Sequence, residues 1–169
     1  LGMVLTIPPS VVFHNDNIVA SITANTLTHA LTVWQITLNY DPSLIVSATV
    51  TTSSLYISAV TVFSIGKITM ASPGLANGVS SSSVIGSNIN IATITFKVRS
   101  DVTTNIFTNA ISFVTNSMVN EYSLQIASNV QGIIRDGRST SSTNTVAIVS
   151  AVSLSTVGLF GYASKFDVI

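Results

Sequence analysis

The 169 residues include six Lys and Arg and six Asp and Glu, giving a formal net charge of zero. Charged residues are 7% of the chain, against roughly 25% in an ordinary soluble domain. Six scattered bases cannot build the clustered Lys and Arg footprint of a nucleic-acid binder. An apolar content of 47% and a mean hydropathy of +0.62 exclude disorder, and the absence of cysteine excludes a disulfide scaffold.

Hydroxyls take the place of charge. Ser and Thr number 47, and Val, Ile and Thr together 61. β-Branched side chains lose rotamer freedom in a helix but pack well on a pleated sheet, so the composition reads all-β. The length suits one β-sandwich. Near-zero net charge promotes self-association unless the surface is covered, which points to glycans or an assembly partner as cover.

In chain order, Gly2 to Ile7 reads as a first strand, stopped by Pro8-Pro9. Val11 to Phe13 follows, then the polar turn His14-Asn15-Asp16-Asn17 and a strand from Ile18 to Thr23. Leu31 to Tyr40 alternates, with Trp34, Ile36, Leu38 and Tyr40 on one face and Val33, Gln35, Thr37 and Asn39 on the other. Asp41-Pro42-Ser43 is a turn in which Pro presets φ and Asp can cap the backbone. Strands are expected over Leu44 to Val50, Leu55 to Phe63 and, entered through Gly66, Ile65 to Met70. Pro73-Gly74, Asn77-Gly78 and the serine run Ser80 to Ser83 mark loops. Ile89 to Val98 is the cleanest strand, followed by Ile106 to Val114, Met118 to Ile126 and Val130 to Arg135. Ser139 to Asn144 reads as a polar linker and Val146 to Val157 as the last strand. About ten strands without a helix is the pattern of a single jelly-roll or Ig-like β-sandwich.

Three features in the middle of the chain resemble a known family. They are Trp34-Gln35-Ile36-Thr37-Leu38-Asn39-Tyr40-Asp41-Pro42, the Gly66-Lys67-Ile68-Thr69-Met70-Ala71 strand with its Pro73-Gly74 loop, and Ile91-Ala92-Thr93-Ile94-Thr95-Phe96-Lys97-Val98. Over about residues 18–120 this ordered trio is similar to the cohesin modules. The resemblance implies a jelly-roll sandwich that binds or builds and does not catalyse. The family's best-known members bind dockerin modules on a sheet face, and others are parts of cell-surface proteins. Dockerin-binding residues follow no motif that transfers position by position, so none is assigned. The chain departs from the family in its low charge and in the tail beyond Thr143.

Catalytic and metal chemistry finds little support. His14 and His29 have no acidic residue at ligand spacing from both. No Gly-x-Ser-x-Gly elbow occurs, and no cofactor is expected. Trp34 and Tyr40 offer a candidate sugar-stacking pair, although a place in the core accounts for them as well. No Asn-x-Ser/Thr acceptor occurs, so glycans would sit on hydroxyls: Ser80, Ser81, Ser82 and Ser83, or Ser139, Thr140, Ser141, Ser142 and Thr143.

The chain opens at Leu1 and not at Met, as a processed or excised segment would. Residues 1–145 are expected to form the sandwich, and 146–169 a terminal strand or inter-subunit connector. The uncharged run near the end is diluted by Ser150, Ser153, Ser155 and Thr156 and is read as strand, not as a membrane span. Val4, Leu5 and Ile7, with Val146, Ile148, Val149, Val152 and Leu154, are candidate assembly strands that would pair with a neighbour's open edge. The expected function is a non-enzymatic structural module of an extracellular or cell-surface filament, fibril or array. Its expected partners are itself, as homopolymer or neighbouring repeat, and glycans, attached or bound. The alternative is a recognition module taking a dockerin-like protein or a polysaccharide on one sheet face.

Overall fold

The structure is a computed structural model and describes residues 2–7, 11–57, 59–135 and 140–149. It is an all-β sandwich. The strands are β1 (Gly2–Thr6), β2 (Val11–Phe13), β3 (Asn17–Asn25), β4 (Leu31–Tyr40), β5 (Ile45–Thr52), β6 (Val60–Ser64) and β7 (Lys67–Ser72). After a short 3-10 turn at Ser81–Val84 come β8 (Ile89–Val98), β9 (Ile106–Asn120), β10 (Gln125–Gln131), β11 (Ile133–Arg135), β12 (Thr140–Ser141) and β13 (Thr143–Val149). One sheet has the order β12-β11-β1-β3-β8-β5, and the other β2-β13-β9-β4-β7-β6, with β10 pairing the far end of β9.

Alternation builds the core. Trp34, Ile36 and Leu38 of β4 and Ile68 and Met70 of β7 point inward and are fully buried. They meet Ile22 of β3 and Ile94 and Phe96 of β8 in one apolar cluster. Bulges reset the phase: Leu31 and Trp34 are both buried because the register with β9 shifts between Leu31 and Val33. Adjacent Ile91 and Ala92 are likewise both buried, opposite a shift at Ile22/Thr23.

Two expected strands come out differently. The breaks placed between Val114 and Met118 and within Met118 to Ile126 move: β9 runs through Thr115 to Asn120. Asn120 then closes the turn, its Oδ1 accepting from the amides of Tyr122 and Leu124 at 3.0 and 2.9 Å. In Leu55 to Phe63, only the last residues form strand. Before them Tyr56 leaves the sheet and turns into the core, with an isolated bridge to Leu75.

The polar segment expected as a linker supplies β12 and the start of β13, so β13 spans the division anticipated at 145/146. β13 pairs antiparallel with β9 and parallel with β2. Gly2 stands opposite Asn25, at the end of the sandwich where β3 finishes, and Val149 opposite Phe13, at the other end.

Candidate functional site

The two outer sheet faces differ in chemistry. On the face of β3, β8 and β5, the registered rows are Ser21-Thr93-Thr51, Val19-Thr95-Thr49 and Asn17-Lys97-Ser47. This is a hydroxyl ladder, well suited to water.

Across β6, β7, β4 and β9 the rows are Val60-Ala71-Gln35-Ser117, Val62-Thr69-Thr37-Val114 and Ser64-Lys67-Asn39-Ser112. Here aliphatic groups are interleaved with amides and hydroxyls, and Lys67 at the rim brings the face's sole charge. Thr37 Oγ1 donates to Asn116 Oδ1 at 2.8 Å, fixing both side chains. Val33, Gln35, Val60, Ala71, Pro73 and Ser117 line a hollow of about 260 Å³ above Trp34. Such a face loses little on giving up its water, which is what the centre of a protein interface requires.

Charge is gathered at one end of the sandwich. Asp16, Asp41, Lys67, Lys97, Arg99 and Asp101 lie on the turns and strand ends there, while Glu121 lies at the opposite end. Arg99 holds Asp101 through Nε and Nη2 at 2.8 and 2.7 Å. The guanidinium keeps the Asp101 carboxyl below its usual range, and the carboxylate raises Arg99 in turn. Asp41 acts as the turn cap, its Oδ1 accepting from the Ser43 amide at 2.8 Å. His14 and His29 fall at opposite ends. His29 Nδ1 stands 3.6 Å from Glu121 Oε1, and among the described residues no three His, Asp or Glu gather as a metal site would need.

The candidate residues read from the sequence are placed as follows. Trp34 is fully buried, edge to face with Tyr56 at 5.8 Å, and has no ring surface for a sugar. Tyr40 is half-buried and packs on Phe96. Val4, Leu5 and Ile7 are buried, with β1 paired to β3 and β11 of the same chain. Val146 and Ile148 are buried too, β13 is held between β9 and β2, and Val149 stands opposite Phe13. Val152, Leu154 and Ser139 lie outside the described residues. Ser80 caps the 3-10 turn, and Ser81, Ser82 and Ser83 are exposed on it. Ser141 and Ser142 are exposed, Thr143 is half-buried, and Thr140 belongs to β12. Among the described residues no helix is long and apolar enough to cross a membrane.

The family model of the cohesin domain matches residues 4–134. The chain belongs to the cohesin family. No curated protein matches. Among solved structures, this cohesin is similar to the OlpA cohesin in its complex with Doc918 from Clostridium thermocellum, at 13% identity and TM-score 0.61, covering 88% of this chain and 100% of that one. It is also similar to the third ScaC cohesin of Acetivibrio cellulolyticus, in complex with the ScaB dockerin, at 17% identity and TM-score 0.60, covering 88% and 99%. CaCohA2 from Clostridium acetobutylicum matches at 17% identity and TM-score 0.56, covering 83% and 95%. The partners in these complexes correct the sequence reading, which expected the chain itself and glycans. The OlpA and ScaC cohesins are paired with dockerin modules of other proteins, in heterotypic complexes.

Proposed function

We propose that this cohesin is a non-enzymatic recognition module of an extracellular or cell-surface protein. Its ligand is a folded protein module of the dockerin type, taken on the outer face of β9, β4, β7 and β6. The observation that carries this reading is the registered grid on that face, aliphatic and amide in character, with a hollow beside Val60 and Ala71. The dockerin complexes of the similar cohesins support the partner class. A filament built by strand exchange has less support, because β1 and β13 are already paired within the chain. The scarcity of charge predicts a partner surface that is itself uncharged at its centre, since an ionic group buried there would find no counter-ion.

Titration calorimetry against a panel of dockerin modules tests the proposal. At least one should bind, and Thr37→Arg or Ala71→Arg, each placing a charge in the middle of the grid, should weaken it by a hundredfold or more, about 2.7 kcal/mol. Failure of every dockerin to bind the wild type, or binding indifferent to both substitutions, would defeat it.

A further inference from the structure

The edge of that same sheet carries a second surface. Among the described residues β6 pairs with β7 alone. Ser64 and Lys67 close a two-residue turn, and hydrogen-bonded pairs alternate along an antiparallel ladder. Val60, Val62 and Ser64 therefore turn their main-chain groups toward β7, while Thr61 and Phe63 turn theirs outward to the open side. Proteins usually blunt such an edge with Lys, Pro or a bulge. β6 has none of these: it reads Val-Thr-Val-Phe-Ser, its register is unbroken, and Val60, Val62, Phe63 and the adjoining Ile65 are exposed, Ile65 at 91%. The edge strand β5 of the other sheet contrasts with it, being bulged between Ile45 and Ser47 and lined with hydroxyls.

We propose that the open edge of β6 receives an extended segment of a partner polypeptide as an added strand. Two observations select that occupant. Outward main-chain donors and acceptors at Thr61 and Phe63 are matched in spacing by another backbone strand, and neither a helix nor a lipid surface offers that pattern. The uncharged aliphatic and aromatic side chains to either side call for an uncharged segment with β-branched or aromatic residues at alternate positions. The added strand would lengthen the sheet beside the face assigned to the folded module, so one partner could place its module on the face and its linker along the edge. The proposal stands apart from that assignment, because the observation that decides it is the outward main chain of Thr61 and Phe63, neither of which belongs to the grid.

The test uses the full chain as bait for a displayed library of linear peptides. Enriched peptides should be uncharged and rich in β-branched residues, and N-methylation of alternate peptide amides should abolish binding. Thr61→Pro removes an outward N–H without touching a bond to β7, a place where an edge strand tolerates proline. It should weaken the selected peptides by about tenfold or more while leaving the unfolding temperature near that of the wild type. Phe63→Lys, at an exposed position outside the grid, gives a second edge variant, should Thr61→Pro unfold the chain. Thr37→Arg, which tests the face, should leave these peptides bound, so the two proposals fail separately. Three outcomes would overturn this one. They are an absence of enriched peptides, binding that ignores both the edge variants and N-methylation, or sedimentation in which wild-type chains pair with one another through this edge and Thr61→Pro separates them.

Discussion

The amide of Tyr40 donates to the carbonyl of Gly66 at 2.9 Å, joining the end of β4 to the turn that opens β7. Gly66 has φ +70, and a Cβ there would stand 3.1 Å from the Tyr40 carbonyl and 3.5 Å from Cδ of Pro42. The Tyr-Asp-Pro turn and the Gly-Lys strand, separate motifs in the sequence, form one packed corner. Gly66→Ala brings both a strained φ and a close contact. It should cost about 1–3 kcal/mol, measured as a lowered midpoint in urea with an unchanged slope.

A second expectation concerns Tyr56. Its hydroxyl is buried, with no hydrogen-bond partner among the described residues, beneath the loop that carries the ring onto Trp34. Such a group costs stability when folded, so Tyr56→Phe should be neutral or stabilising, by up to about 1 kcal/mol. Burial also raises the phenol pKa well above its ordinary value. The folded state keeps the proton that the unfolded chain releases near pH 10, so this contribution is present below pH 10 and is lost as pH rises further. Wild-type stability should fall in that window by up to about 1.4 kcal/mol per pH unit. Tyr56→Phe should show a shallower decline in alkaline unfolding curves.

At Gly132 the constraint is space, because a Cβ there would land inside the ring of Phe113. The Gly132 amide donates to the Phe113 carbonyl at 2.8 Å, so neither partner can simply withdraw. Gly132→Ala should destabilise by about 1–3 kcal/mol through overpacking. Pairing it with Phe113→Leu, which vacates ring volume, should restore part of the loss. A double-mutant cycle read by thermal unfolding measures that coupling.

The sequence makes the inner faces of β4 and β8 legible, because their alternation is long, broken only near Leu31 and at Ile91-Ala92, and their bounds coincide with the expected ones. It does not disclose that Thr115, Asn116 and Ser117 lie inside a strand. Their polarity reads as a turn, yet Thr115 is buried opposite Ile36, and Asn116 is held by a hydroxyl far away in sequence. Leu55 to Ile57, expected as the start of a strand, depart in the opposite sense. Their side chains suit a strand, but the ring of Tyr56 gains more by burial against Trp34 than it would in a ladder. The candidate face was half visible: Gln35 and Thr37 could be placed opposite Trp34 and Ile36. Their neighbours Ala71, Val60 and Ser117 are brought beside them by the order of strands in the sheet, which no local pattern encodes.

Gly2 and Val149 stand at opposite ends of the sandwich, and this has a mechanical consequence. Ladder hydrogen bonds run across the strands, so a pull between these two residues acts along β1 and β13 and loads their ladders in shear. The bonds must then yield together instead of opening one after another. Single-molecule extension through residues 2 and 149 should meet a distinctly higher rupture force than extension through residues 60 and 72, which peels β6 and β7 from one end. Placed in a chain under tension, this small, nearly uncharged domain would transmit force along its length while its outer face remained intact for a partner.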